Sequence, residues 1–151
     1  MEIRNKQGQL IFSGNLAQSF DDLDLREAVL EGMTLQGAHF DGANLQGANL
    51  RGADFYWGDF FMANLSDADL QGAQLQGADL KEANLTNANL RNANLGRDNV
   101  GGSTQLQGAI LKGADLRFCQ LGGRGVQRRH CFSRKIRRSR VEDDSSGSYL
   151  I

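Results

Sequence analysis

A five-residue repeat runs through most of the chain with few interruptions. Starting from Phe20, every fifth residue as far as Val100 is Leu, Phe or Val, and in most cases Ala stands two residues before it. A period of five fits neither the 3.6-residue period of an α-helix nor the two-residue period of a regular strand. It predicts a short strand followed by a corner in every five residues, so that the chain winds into a solenoid.

Two residues of each five-residue unit are predicted to point inward. The Ala and the Leu or Phe are two positions apart, so they lie on the same side of a short strand. The other three positions mostly hold Asn, Asp, Gln, Gly, Lys, Arg, Ser or Thr, as expected for a solvated surface. Gly is frequent in the pair that follows the Leu, where a corner needs permissive backbone dihedrals. The repeat therefore predicts a narrow apolar core inside a polar shell.

The repeated tripeptides match a known motif. Ala43-Asn44-Leu45 and Ala78-Asp79-Leu80, among many others, fit the pattern A(D/N)LXX, and the chain resembles the pentapeptide-repeat family over about residues 16–121. The resemblance implies an all-β fold, a right-handed quadrilateral parallel β-helix (a β-solenoid) with four pentads in each coil and about five coils. It also implies a bacterial protein, and the absence of a leader or an apolar span in the sequence favours the cytoplasm.

Four pentads per coil place residues twenty apart on top of one another. The large side chains then form a core column of Phe20, Phe40, Phe60, Leu80 and Val100. Between Val100 and Leu106 the spacing is six instead of five, in a glycine-rich stretch, which predicts a bulge or a small loop at a corner. Cys119 takes an Ala position in the last pentad and is predicted to be a small buried thiol.

Three segments are predicted. Residues 1–15 are expected to form a capping hairpin, because the open hydrophobic end of a solenoid must be covered. Residues 16–121 form the pentapeptide-repeat β-helix, and residues 122–151 form a basic tail. Residues 1–121 hold 9 bases and 15 acids, a net charge of −6, whereas residues 122–151 hold 8 bases and 3 acids, a net charge of +5. This asymmetry indicates two physically different parts.

The tail admits three interpretations. Its composition is typical of a disordered segment. Its basic run from Arg124 to Arg140 could instead hold nucleic acid or an anionic membrane. Val126, Cys131, Ile136 and Val141 continue the period of five while arginines take the Ala positions, so the tail could also be repeat DNA translated in a shifted frame.

No pattern in the sequence indicates catalysis. His39 occupies an outward position without a partner at nucleophile spacing, and the carboxylates recur on the outward face as a solvated surface would. The arrangement of Cys119, His130 and Cys131 matches no zinc-site spacing. The glycines recur at predicted corners and not between a strand and a helix, so they do not predict a phosphate-binding loop. We therefore predict no catalytic residues, no metal and no cofactor.

At one place, two consecutive corners lose their polar character together. Tyr56, Trp57, Phe61 and Met62 stand where other pentads carry polar residues or Gly. An exposed aromatic cluster surrounded by polar residues is typical of a protein-interaction site. The alternative is that these side chains lie flat over neighbouring glycines, or are covered by another segment of the chain.

These observations favour a non-enzymatic scaffold that binds an unidentified protein partner. The alternative comes from the family resemblance, since its quinolone-resistance members imply a DNA-mimicking inhibitor of a type II topoisomerase (gyrase). The acidic repeat region agrees with that alternative in sign. However, five coils reach only about 24 Å at about 4.8 Å per coil, which is about seven base pairs of DNA.

Overall fold

The computed structural model describes residues 1–14 and 19–121, together with two short strands near the C-terminus. Strands β1 (Glu2–Arg4) and β2 (Leu10–Ser13) form an antiparallel hairpin. Strands β3 (Glu142–Asp143) and β4 (Tyr149–Leu150) pair antiparallel with each other. The other predictions for residues 122–151 lie outside the described residues. Within the described part of the chain, no helix is long and apolar enough to cross a membrane.

The repeats form a right-handed quadrilateral β-helix. One residue of each pentad makes a parallel bridge to the residue twenty positions later, as Asn44 does to Asn64 and Asn64 to Asn84. The ladder bonds are short and regular, for example 2.8 Å from the Leu45 N–H to the Asn64 carbonyl. Sixteen inward Leu or Phe residues from Phe20 to Leu95 and four from Leu106 to Leu121 make five coils of four pentads.

Each corner is a tight turn that requires one residue in the left-handed backbone region. After Leu45 the turn closes with a bond of 3.0 Å from the Ala48 N–H to the Leu45 carbonyl, and Gly47 has a φ of 67°. Glycine adopts this conformation without steric penalty, while Asn, Asp and Glu occupy the same position in several other coils. The polar two-residue corner predicted from the sequence is therefore the element that turns the chain.

The core is a stack of side chains with almost no exposed surface. The rings of Phe20, Phe40 and Phe60 lie nearly parallel, with centroid separations of 4.8 and 4.9 Å, and Phe55 meets Phe60 edge-on at 5.1 Å. Gly58 replaces the usual Ala at this place. A Cβ at Gly58 would lie 3.0 Å from the Phe60 ring and 3.1 Å from the Phe55 carbonyl, so only glycine fits beside the two rings without movement.

The predicted core column is correct for four residues and wrong for Val100. Phe20, Phe40, Phe60 and Leu80 are buried, but Val100 is 78% exposed. The reason is that Asp79 pairs with Gln105 and not with Asn99, so Leu106 stacks on Leu80. The separation of this pair is 26 residues, six more than in a regular coil. The extra residues lie in a loop outside the ladder, which we call the inserted loop (residues 97–103). The predicted bulge of one residue was therefore too small.

The last coil contains two buried residues that are not typical of the repeat, Thr104 and Cys119. Thr104 occupies the Ala position before Leu106, is 2% exposed, and donates its hydroxyl hydrogen to the Leu75 carbonyl at 2.7 Å. This bond satisfies a polar group inside the core. Cys119 is buried as its place in the repeat predicts, but it is disulfide-bonded and is not the free thiol expected from the sequence.

The N-terminal hairpin lies against the first coil. Ile3 of β1 is 1% exposed, and the Phe12 ring of β2 meets the Phe20 ring edge-on at 5.4 Å. The hairpin also extends the backbone bonding, since the Val29 N–H donates to the Arg4 carbonyl at 2.8 Å. The apolar end of the Phe stack is thereby covered by side chains from outside the repeats.

Candidate interaction surface

The four residues of the predicted patch lie on the third coil, at two adjacent corners. Between them runs one flat side of the β-helix, which we call the phenylalanine face because Phe20, Phe40 and Phe60 lie beneath it. The corner before this face (the leading corner) carries Tyr56 and Trp57, and the corner after it (the trailing corner) carries Phe61 and Met62. Asp59 lies on the face between the two corners. The third coil therefore presents an apolar band across the side of a polar rod.

The apolar side chains of this band are substantially exposed. Trp57 is 50% exposed, Phe61 37% and Met62 60%. Trp57 and Met62 also have φ values of 57° and 56°, in the left-handed region that large side chains seldom adopt. Glycine or a small polar residue would satisfy the same turn with less strain, as it does in most other coils. For Met62, folding alone thus gives no reason for a large apolar residue at this position.

At the leading corner, Tyr56 and Trp57 hold the inserted loop. The Trp57 Nε1–H donates to Asp98 Oδ2 at 2.6 Å. The Tyr56 hydroxyl donates to Asn99 Oδ1 at 2.7 Å and accepts from the Asn99 N–H at 2.8 Å. The Trp57 ring also lies over Gly77 on the next coil, where an added Cβ would come within 2.5 Å of Trp57 Cδ1. The sequence offered the alternative that the aromatic rings lie flat over neighbouring glycines. For Trp57, this alternative is correct.

The sequence reasoning missed Asp98 and Asn99 as partners of this corner. Asp98 accepts hydrogen bonds from the Trp57 indole, from the Val100 N–H at 2.9 Å and from the Gly102 N–H at 2.6 Å. The available signal was Asp98 itself, since it takes an inward Ala position that cannot bury a carboxylate. Its partners, more than forty residues earlier in the chain, could not be read from the period.

These bonds change the acidity of the Asp98 carboxyl. The hydrogen bond from Trp57 is the largest cause, and it holds the pKa of Asp98 below its ordinary value of 3.8, with further lowering from the backbone N–H groups of the loop and an opposing effect of desolvation. A depressed folded-state pKa means that the ionised carboxylate holds the loop at and above pH 3.8. This attachment is lost only as the pH falls through the depressed pKa.

We therefore expect acid to break the attachment of the inserted loop through Asp98 at a pH below 3.8. Trp57 is the only tryptophan in the chain, so its fluorescence reports the loss of the bond to Asp98 directly. The emission of the native chain should change with a midpoint below the ordinary Asp pKa, and in Asp98→Asn this transition should be absent. A midpoint at or above 3.8 in the native chain would contradict the assignment.

At the trailing corner, Phe61 and Met62 continue a column that is acidic in the first two coils. Asp21, Asp41 and Phe61 stack in that order, as shown by backbone bonds from Asp22 N–H to the Asp41 carbonyl (2.8 Å) and from Gly42 N–H to the Phe61 carbonyl (2.9 Å). Desolvation raises the pKa of Asp41, and the negative charges of Asp59, Asp21 and Asp22 raise it further. Apolar and acidic side chains are thus contiguous along this edge.

Several other acids on the β-helix have cationic neighbours. Arg26 binds Asp24 at 2.6 Å, Lys81 binds Asp79 at 2.8 Å, and Arg117 binds Asp115 at 2.5 Å. Among the described residues, no Lys or Arg forms an ion pair with Asp21, Asp22 or Asp41. His39 lies on the phenylalanine face with its Nδ1 3.8 Å from Asp59, and Lys81, which follows Phe61 in the same column, binds Asp79. The acidic part of the trailing corner is therefore uncompensated.

A depression beside the N-terminal hairpin offers a second concave surface. It is lined by Asn5, Ile11, Arg26, Glu27 and Gln46, among others. Most of its charged groups are already paired, because Arg26 binds Asp24 and Glu27 binds Lys6 at 3.0 Å. In residues 1–14 and 19–121 no three or more His, Cys, Asp or Glu side chains are grouped to hold a metal ion. The exposed band on the third coil is thus the stronger candidate surface.

Comparisons with known proteins agree with the fold. The family model for pentapeptide repeats matches eight copies, over residues 19–60 and 63–97. The solved structure of HetL, a pentapeptide repeat protein involved in heterocyst differentiation regulation from the cyanobacterium Nostoc sp. strain PCC 7120, is 36% identical. The match covers 68% of this chain and 46% of HetL, with a TM-score of 0.63. The chain thus spans less than half the length of HetL.

Two other solved structures are similar over comparable lengths. A pentapeptide repeat protein from the Arabidopsis thaliana thylakoid lumen is 35% identical over 68% of this chain and 64% of that protein, with a TM-score of 0.37. QnrB1, a plasmid-mediated fluoroquinolone resistance protein, is 17% identical over 72% of this chain and 58% of that protein, with a TM-score of 0.29. None of the curated protein sequences matches. On the repeat match and the regular β-helix together, the chain belongs to the pentapeptide repeat family.

Proposed function

We propose that the chain is a non-enzymatic scaffold that binds a protein partner through the apolar band of the third coil. The observation that carries the proposal is the exposure of Trp57, Phe61 and Met62 at corner positions where neighbouring coils have glycine or polar residues. Exposed aromatic and Met side chains surrounded by polar surface have the composition of interaction hot spots. The band is held on a rigid ladder, so little ordering is needed on binding.

The similarity to HetL supports a role in binding. HetL is involved in the regulation of heterocyst differentiation, and 68% of the present chain is similar to it. A regulatory role exerted through protein contacts is compatible with an exposed apolar band on a rigid β-helix. The bacterial and cytoplasmic setting predicted from the sequence is part of this proposal, and the partner's identity is the object of the following experiment.

The proposal predicts that the trailing corner is needed to capture the partner. Phe61→Ser combined with Met62→Ser should abolish the capture of a cellular protein by the purified chain, because it removes exposed apolar contacts without touching the core. Phe118→Ser is the matched control, since Phe118 is 55% exposed on another side of the β-helix. Equal melting temperatures would establish that all baits are folded. Unchanged capture by the double variant would contradict the proposal.

Inhibition of gyrase by DNA mimicry is the alternative function. The observation in its favour is that Asp21, Asp22 and Asp41 form no ion pair, in a stretch (residues 1–121) with a net charge of −6. Five coils of about 24 Å offer only a short mimic. We expect no effect in a supercoiling assay with purified gyrase. Inhibition at near-stoichiometric protein would replace the scaffold proposal by this one.

A further inference from the structure

We infer that the partner presents a segment in which Arg or Lys residues are interspersed with apolar residues, and that this segment lies along the trailing corner. The inference rests on the proposed function and specifies the chemistry of its partner. It follows from two features that share one edge of the β-helix, the exposed apolar pair and the uncompensated acids. Each feature alone would suit many partners, whereas their combination favours one kind.

The geometry places the two features within reach of one short segment. Asp21, Asp41 and Phe61 occupy equivalent positions on three successive coils, and the adjoining positions hold Asp22, Gly42 and Met62. Successive coils are about 4.8 Å apart, so the three levels span about 10 Å. An extended peptide of three or four residues covers about this distance. A single segment can therefore contact the apolar pair and the acids together.

The charge of the edge selects a cationic segment. Asp21 accepts hydrogen bonds from the Ser19 hydroxyl and from the Asp41 N–H, but neither donor carries a charge. Desolvation raises the pKa of Asp41, and the negative charges of Asp59, Asp21 and Asp22 raise it further, as expected where carboxylates lie close together. A cation bound at this edge relieves the repulsion, whereas an anionic partner would increase it. The acids that Arg26, Lys81 and Arg117 already neutralise would gain less from such a cation.

The exposed Phe61 and Met62 favour a segment that contains apolar residues as well as Arg or Lys. A ligand that carries only charge would leave these two side chains without a contact. Met62 is flexible and 60% exposed, so it adapts to the aliphatic part of a Lys or Arg stem or to a Leu side chain. Phe61 offers a ring for the same contacts, and a guanidinium above an aromatic ring gains a cation–π interaction. Small inorganic cations would use neither contact.

The test uses the full chain and three synthetic peptides, with Trp57 emission and calorimetry as readouts. The first peptide alternates Arg and Leu, the second replaces the Leu residues by Ser, and the third replaces the Arg residues by Glu. We expect saturable binding of the first peptide that weakens as salt is added. The second peptide should bind at least about tenfold more weakly, the size expected for losing a buried apolar anchor. The third should not bind.

Variants locate the binding to the trailing corner. Asp22→Asn with Asp41→Asn should weaken the first peptide about fivefold at low salt, since exposed charge pairs are worth up to about 1 kcal/mol each. Phe61→Ser with Met62→Ser should weaken it about tenfold. Glu31→Gln, which removes one carboxylate, and Phe118→Ser, which removes one exposed ring, lie at another corner and serve as controls that should leave the affinity unchanged. Equal loss in the controls, or equal binding of all three peptides, would overturn the inference.

The two proposals fail in different ways. If the trailing-corner variants lose the cellular partner but no peptide binds, the scaffold function stands and the cationic partner is wrong. If the Arg–Leu peptide binds at the trailing corner while capture of cellular proteins is unaffected by the same variants, the inferred chemistry stands and the proposed function is wrong.

Discussion

Ala68→Arg should prevent the chain from folding. Ala68 is 1% exposed and points into the narrow core between Leu65 and Leu70. An Arg side chain there exceeds the available volume and brings a charge that no described core residue can neutralise. We expect a loss of more than about 4 kcal/mol, which is close to the whole stability of many small domains. Circular dichroism of the purified variant should show loss of the β signal, or the protein should be recovered only in aggregates.

The control for this prediction is the preceding residue. Asp67 is exposed at the corner with a φ of 59°, and its carboxylate accepts a hydrogen bond from Asn87 at 3.2 Å. Asp67→Arg adds the same side chain to the outside of the same coil, so it should fold with a melting temperature close to that of the native chain. A folded, soluble Ala68→Arg variant would contradict the assignment of inward and outward positions.

Phe40→Ala should cost about 3–5 kcal/mol of unfolding free energy, as large-to-small changes of buried aromatic residues do. Phe40 is 0% exposed and lies between Phe20 and Phe60, with the edge of Phe55 against it at 5.8 Å. Its removal leaves a cavity that the rigid ladder around it cannot close. Thermal unfolding followed by circular dichroism measures the loss.

Two further variants test whether the loss depends on the buried position of Phe40 and on its aromatic ring. Phe61→Ala makes the same change on the outside of the β-helix, where Phe61 is 37% exposed, and should cost about 1 kcal/mol or less. Phe40→Leu should cost less than about 1.5 kcal/mol, because Leu80 and Leu106 already hold this place in higher coils. If Phe40→Ala is no more destabilising than Phe61→Ala, the aromatic stack is not a main source of stability.

The repeat region could be predicted in detail because each inward residue is determined locally. A Leu or Phe every five residues, with Ala two positions before it, fixes which side of each strand is buried, as Ala43 and Leu45 show. Residues twenty apart then meet without further information. The pairing of Asn44 with Asn64 is an example, since it follows from the number of pentads in a coil.

The length of the inserted loop could not be predicted because the five-residue period and the residue types disagree in this stretch. Val100 keeps the period of five, so the period alone places it in the core. The structure instead excludes it, because Asp98 cannot take the inward Ala position and because Thr104 and Leu106 fit the next coil. The bonds that hold the loop come from Tyr56 and Trp57, which are distant in sequence and near only after the coils have stacked.

The sequence located the apolar band of the third coil but did not show which of its side chains bind the inserted loop. The loss of polar residues at the corners of the third coil is visible in the sequence at Tyr56–Trp57 and Phe61–Met62. Which of these side chains bind the inserted loop depends on hydrogen bonds to Asp98 and Asn99, and thus on tertiary structure. The absence of cations beside Asp41 is also a tertiary property, since Lys81 and Arg26 are near it in the repeat but pair with other carboxylates.

The inserted loop shows that this β-helix tolerates additional chain at one corner. The coil before it ends at Gly96 and the next begins at Thr104, and the ladder bonds on both sides keep lengths of 2.8–2.9 Å, as from Leu75 N–H to the Asn94 carbonyl and from Gln105 N–H to the Ala78 carbonyl. Foreign peptides grafted between Arg97 and Ser103 would therefore be displayed at a fixed height on the rod. The same corner is a natural place for members of one lineage to diverge in length and in binding specificity while they keep a common frame.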